Sequence, residues 1–116
     1  IIHRPANYKA SYAMVIPYPS ELKKQRGAPC LNYLTVQVEN VDDGKRVSIL
    51  AVYRNHDFLE RAYGNYYGLC KLLEYIAIET KSHIGSLTCV SAHACVLGNN
   101  KAKLKEMSTE FIRGCN

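Results

Sequence analysis

The sequence predicts an α+β domain in which strands and helices alternate along one chain, and three patterns carry that expectation. Residues 32–39 alternate, with Leu34, Val36 and Val38 on one side and Tyr33, Thr35, Gln37 and Glu39 on the other. That is the period of a strand with one buried face. Residues 47–53 are more continuously apolar and predict a more deeply buried strand. Leu69, Leu72, Leu73, Ile76 and Ala77 recur at helical spacing and form one apolar face of a helix over 65–80.

The remaining elements follow in order. Residues 12–18 are rich in strand formers, and Pro17 and Pro19 close them, so a strand leads into a loop. Residues 20–29 are a polar, basic connection ending at Gly27-Ala28-Pro29. Asp42-Asp43-Gly44 signals a turn, so the strands either side of it pair as an antiparallel hairpin. A polar stretch over 54–64 precedes the helix, which opens at Asn65. Residues 87–96 predict another strand. Asn99 and Asn100 can cap a last helix over 101–112, with Leu104, Met107 and Phe111 as its inner stripe.

The 116 residues are 47% hydrophobic, enough for one domain over 1–116 with a modest core. No apolar run has the length of a membrane span, and no basic-then-apolar leader opens the chain. It starts at Ile1 rather than Met, which reads as a processed or partial polypeptide. The net charge of +5 suits an anionic partner such as a nucleotide phosphate, and equally a soluble, mildly basic surface. The densest basic cluster, Lys23, Lys24 and Arg26, falls in a predicted loop without a nucleic-acid-binding motif, so nucleic acid is not the expected partner. Five cysteines, an odd number with no C-x-x-C pair, read as free thiols in a reducing cytoplasmic setting.

Candidate chemistry gathers at two places. Cys30 follows Pro29 and directly precedes a strand, with Arg26 nearby. The nucleophilic form of cysteine is the thiolate, which basic surroundings favour. Arg54, Asn55, His56 and Asp57 stand at the end of another strand, with Asn65 at the start of the next helix. A helix N-terminus offers unpaired N–H groups to an anion, an arginine fork grips phosphate, and an asparagine amide can pair with a pyrimidine edge. Taken singly, each also fits a plain structural role: an exposed ion pair, a helix cap, an inert thiol. His93 and Cys95 lie two apart on a predicted strand and would share a face as hydrogen-bonding groups. Their spacing from Cys89 and His83 matches no zinc pattern, so no metal is expected.

Four segments, in order and with matching spacing, resemble the thymidylate synthase and pyrimidine nucleotide hydroxymethylase superfamily in its C-terminal, nucleotide-binding part. Ala28-Pro29-Cys30 resembles the Pro-Cys of the family's nucleophile. Tyr53-Arg54-Asn55-His56-Asp57 resembles its Gln-Arg-Ser-x-Asp, and Asn65 follows Asp57 at the family's distance. Ile84-Gly85-Ser86-Leu87 with Ser91-Ala92-His93 resembles its glycine-led strand ending in Asp-Ala-His. The likeness covers residues 12–96.

The resemblance implies a thymidylate synthase-like mixed sheet with flanking helices. It also implies transfer of a one-carbon unit from methylene-tetrahydrofolate to C5 of a pyrimidine nucleotide, dUMP being the one that an Asn at position 65 favours. Cys30 would add to C6 of the base. Arg54 would bind the phosphate with Asn55 beside it, Asp57 would help to hold base and folate, Asn65 would pair with the uracil edge, and His93 would approach the sugar. A homodimer packed sheet against sheet would use the alternating strand over 32–39. The chain departs from the pattern at Lys9-Ala10-Ser11, where the family carries paired phosphate arginines, at Leu31 for a His, at Tyr53 for a Gln and at Cys95 for a Tyr. A catalytically inactive nucleotide-binding homologue is therefore the alternative. A basic domain that binds nucleic acid is a third reading, carried only by Tyr33 and Tyr53 on strands.

Overall fold

The computed structural model describes residues 11–16, 28–96 and 101–114, without the side chains of 101 and 111–114. Three expectations lie outside the described residues: the close of the first strand at Pro17 and Pro19, the basic loop with Lys23, Lys24 and Arg26, and the caps Asn99 and Asn100.

The hairpin forms as its alternation requires. Strand β2 (Leu31–Val41) and strand β3 (Gly44–Tyr53) run antiparallel through a tight turn at Asp42 and Asp43. Gly44 sits at φ 141°, a backbone region that a side chain would strain. Leu34, Val36 and Val38 lie opposite Ala51, Ile49 and Val47, so the apolar sets of both strands share one face. Strand β1 (Tyr12–Val15) adds antiparallel to β2, and β5 (His83–Ser91) adds parallel to β3, giving the order β1-β2-β3-β5.

Helix α1 (Ala62–Glu79) connects β3 to β5 and lays Leu69 and Leu73 on the inner face, over Leu34, Val36, Val47, Ile49, Ala51 and Tyr53. Together with Leu72 and Ile76 at its flank, this is the apolar face expected of it. The helix closes where Lys81, at φ 50°, turns left-handed. The N–H groups of Lys81 and Ser82 then reach back to the carbonyls of Ile78 and Ala77, at 3.1 and 2.8 Å.

Several boundaries, and the packing of the last helix, differ from expectation. The helix begins at Ala62, one turn before Asn65, because Asp57 organises its approach: Asp57 Oδ1 accepts the N–H groups of Leu59 and Glu60, at 3.1 and 3.3 Å. Strand β5 starts at His83 rather than 87, since its first residues pair with Arg46 and Val47. It ends at Ser91; after a bend at 92–93 the chain forms β6 (Ala94–Cys95), parallel to β4 (His56–Asp57) in a separate small sheet. The last helix, α2 (Lys101–Gly114), forms, but Leu104 and Met107 are 39% and 49% exposed. No described residue buries that stripe, because residues 102–110 are exposed throughout; the side chain of Phe111 is outside the described set.

No helix among the described residues is long and apolar enough to cross a membrane. Among the described residues the architecture is α+β, with a mixed four-stranded sheet, a small two-stranded sheet and two helices.

Candidate functional site

The hairpin register sets the first part of the site. Leu31 lies opposite Tyr53, so the segment before β2 runs beside the residue after β3. Arg54 uses that proximity three times. Its backbone N–H donates to the Cys30 carbonyl at 2.9 Å, its Nε to the Pro29 carbonyl at 3.1 Å, and its Nη2 to the Ala28 carbonyl at 2.9 Å. A planar fork with five donors can hold successive carbonyls in this fixed geometry. Arg54 therefore fixes the backbone that carries Cys30, and the rest of its guanidinium donors remain for an anion.

Cys30 is half-buried and packs against the core beside Tyr53. Burial above all, then the nearby Cys89, Tyr66 and Cys30, holds the Tyr53 hydroxyl above the ordinary tyrosine range. It stays protonated near neutral pH and can donate. Burial, followed by the neighbouring Cys70, pushes the Cys89 thiol up as well, which disfavours its thiolate. The four described cysteines are all free.

The second part is built on His56. Its side chain is 1% exposed, stacked on Tyr53 with ring centroids 4.3 Å apart and planes within 10°. Phe58 and Tyr66 meet it edge-on at 5.1 and 5.3 Å. Its Nδ1 lies 2.9 Å from Ser91 Oγ and its Nε2 lies 3.1 Å from Asn65 Nδ2. The backbone N–H of His56 donates to the His93 carbonyl at 2.9 Å, as β4 pairs with β6. One imidazole thus joins β3, β4, β5 and α1.

Asp57 is buried, and its second oxygen, Oδ2, is one of two buried side-chain oxygens without a partner among the described residues; Asn32 Oδ1 is the other. An orphaned buried acceptor is costly unless something donates to it. Beside β4 and β6 a shallow hollow of about 210 Å³ is lined by Phe58, Ala94, Cys95 and Val96. A larger groove of about 550 Å³, lined by Glu39, Arg46, Ser48 and His83 among others, lies at the far end of the sheet and includes none of the predicted site residues.

The predicted residues therefore fall into two groups. Cys30 and Arg54 are in direct contact, and Asn65 joins them through His56 and Tyr53, with Asp57 alongside. Asn55 and His93 are exposed, and His93 enters the contact chain through its backbone carbonyl. His93 and Cys95 do not share one continuous strand: His93 sits in the bend and Cys95 in β6. Asn65 is not at the helix N-terminus, since its N–H donates within the helix to the Arg61 carbonyl at 3.0 Å. The free N–H groups that could greet an anion belong to the turn before it. No group of three His, Cys, Asp or Glu converges among the described residues.

The sequence reading missed His56, Ser91 and Tyr66. One signal was available: a histidine three residues after a buried strand and just ahead of an aspartate, once buried, has to find partners for its ring nitrogens.

Comparison with known proteins adds two relatives, while no protein-family model matches the chain. A protein of Methanosarcina barkeri (strain Fusaro / DSM 804), named "Putative thymidylate synthase", is 32% identical over 76 residues, 66% of this chain and 33% of that protein. A protein of Methanosarcina acetivorans with the same name is 31% identical over 112 residues, 97% of this chain and 47% of that protein. The chain is thus similar to thymidylate synthase-like proteins along nearly its whole length, and spans between a third and about half of the length of these curated relatives.

Proposed function

We propose that the chain is the nucleotide-binding part of a thymidylate synthase-like enzyme that transfers a one-carbon unit to C5 of a pyrimidine nucleotide, dUMP in the first place. The observation that carries this reading is the contact chain at the end of β3. Arg54 is bonded to the backbone of Cys30, and Asn65 is bonded to the histidine stacked on Tyr53. A nucleophile, a phosphate-type cation and a base-pairing amide thus border one region, and the similarity to the two archaeal proteins points to the same chemistry.

In this reading the Cys30 thiolate forms a bond to C6 of the base. The electron pair of the C5–C6 double bond moves onto the C4 carbonyl as an enolate, and C5 becomes the carbon nucleophile. The Tyr53 hydroxyl, held protonated, is a donor close to the thiol. Bound methylene-tetrahydrofolate would supply the one-carbon unit, and Asp57 Oδ2 is the acceptor in this chain that fits a ring N–H donor. Loss of the C5 proton and departure of Cys30 restore the ring; hydride or water at the new carbon separates methylation from hydroxymethylation. Asn55 and the sugar-facing His93 border the same region from the surface. Free thiols fit a cytoplasmic setting, and the face of the sheet opposite α1 fits a second copy of the chain.

The alternative, an inactive nucleotide-binding homologue, is favoured by one observation: Arg54 already donates to Pro29 and Ala28, so fewer of its donors are free for phosphate. One experiment separates the two. The complete polypeptide is incubated with a fluorinated dUMP and methylene-tetrahydrofolate and examined by mass spectrometry. A covalent adduct on Cys30, lost in Cys30→Ser, is the expected result. Binding of dUMP with no adduct would make the inactive homologue the correct reading.

A further inference from the structure

We infer that His56 is a positioning residue: it fixes the orientation of the Asn65 carboxamide and thereby sets which base edge Asn65 accepts. This rests on the pyrimidine-nucleotide reading above. The inference starts from donor and acceptor accounting. A carboxamide nitrogen only donates, so the 3.1 Å contact from Asn65 Nδ2 requires a lone pair on His56 Nε2. A neutral imidazole then carries its proton on Nδ1, where Ser91 Oγ lies 2.9 Å away and can accept it. The chain of hydrogen bonds has one direction, from Asn65 through His56 to Ser91.

The ring cannot turn to escape this arrangement. It is 1% exposed, stacked on Tyr53 and held edge-on by Phe58 and Tyr66, and the backbone that carries it is pinned where the His56 main-chain N–H donates to the His93 carbonyl. Asn65, half-buried on α1, must therefore orient to suit His56 and not the reverse. With Nδ2 committed to the ring, the amide oxygen and the second Nδ2 proton are left for a ligand, in a fixed order. A uracil edge offers an N3–H donor beside the O4 acceptor. A cytosine edge offers the reverse, an N3 acceptor beside an N4 donor, and needs the amide turned over. Turning it would set two lone pairs against each other, unless the ring proton crossed to Nε2 and the Ser91 hydroxyl became the donor. His56, with Ser91 behind it, thus biases the site toward uracil nucleotides through a residue that never touches the base.

The test uses the full-length protein, with dUMP and dCMP as probes in calorimetric titrations and 15N-labelled histidine in NMR of the free protein. The free protein should show His56 protonated at Nδ1 and bare at Nε2. His56→Phe keeps the stack on Tyr53 but removes both nitrogens. It should lower the preference for dUMP over dCMP by about tenfold, the worth of one net hydrogen bond. His56→Gln, which restores an acceptor toward Asn65, should recover most of the preference. Ser91→Ala should lose part of it. A proton on Nε2, or a folded His56→Phe with an unchanged ratio, would overturn the inference while leaving the nucleotide site intact. Wild-type protein that binds neither nucleotide would sink the site reading, and this inference with it. If His56→Phe does not fold, the ratios in His56→Gln and Ser91→Ala decide: full preference in Gln with a loss in Ala upholds it, and a loss in Gln with none in Ala overturns it.

Discussion

Tyr53 is buried against the ring of His56, and its hydroxyl is held above the ordinary tyrosine range first by burial, then by Cys89, Tyr66 and Cys30. The sign of its effect on stability follows. In the unfolded chain the hydroxyl titrates near 10.0, and in the fold it titrates higher. Between those values the native state keeps a proton that the unfolded state releases. The contribution is whole below about pH 10 and lost as pH rises through the folded value. Urea-unfolding midpoints should fall in alkali beginning near that pH, and Tyr53→Phe should shallow the fall without reversing it. An identical alkaline slope in the variant would exclude Tyr53 as the group. Stability near neutral pH should change little, since the Phe ring keeps the stack. That Cys30, Arg54, Asp57 and Asn65 gather at one end of the sheet was legible from their order and spacing. His56 was not, because its side-chain partners lie 9 and 35 residues away and no local period links them.

The parallel pair β3–β5 contains an irregularity at the end of the sheet away from the candidate site. Val47 pairs with Ile84, but Ile49 pairs with Leu87, so β5 carries one extra residue there. Ser48 repairs the ladder: its hydroxyl accepts the Ser86 N–H at 3.2 Å. Gly85 makes the approach possible. A Cβ at that position would press on the Ser48 hydroxyl and lie 2.7 Å from the Val47 carbonyl. Gly85→Ala should therefore destabilise the fold by about 1–3 kcal/mol, the usual cost of overpacking. Gly68 of α1 is the control, with nothing within 4 Å of an added Cβ. Gly68→Ala should stabilise by about 0.5–1 kcal/mol. Denaturant melts of both variants check the pair, and equal effects would refute the close-packing account. The same bulge explains a missed boundary. The glycine and the extra residue interrupt the alternation of β5, so its first residues did not read as strand. The hairpin and α1, whose periods run unbroken, did. The start of α1 was misjudged because the turn made by Asp57 ahead of the helix, not Asn65, shapes its entry.

Among the described residues, helix covers one face of the sheet and no element lies on the other. Helix α1 lies on the face of Leu34, Ile49 and Ala51. On the opposite face the register lines up Val15, Tyr33, Val52 and Val90 in one row across all four strands. The row ends are open, with Val15 74% and Val90 47% exposed. The thinnest dimension, 18 Å, is that of a sheet with a single layer of helix. The alternation over 32–39 made this face legible in outline, since it sends Tyr33 and Thr35 away from the core. Its extent was not legible, because the row depends on the pairing of four strands. An apolar row with exposed ends invites a partner. A second copy is the occupant that fits, since the row runs from edge to edge and can meet itself across a two-fold axis. Sedimentation of the full-length protein should then report a dimer. Val90→Glu, at an exposed position that costs the monomer little, should shift it to monomer by setting two carboxylates into the interface. The variant should keep the melting behaviour expected of a folded chain. A dimer that survives both Val90→Glu and Val15→Glu would assign the contact to another surface. A monomeric wild type would leave the row as a face for a different partner, and the proposed nucleotide site would have to be complete within one chain.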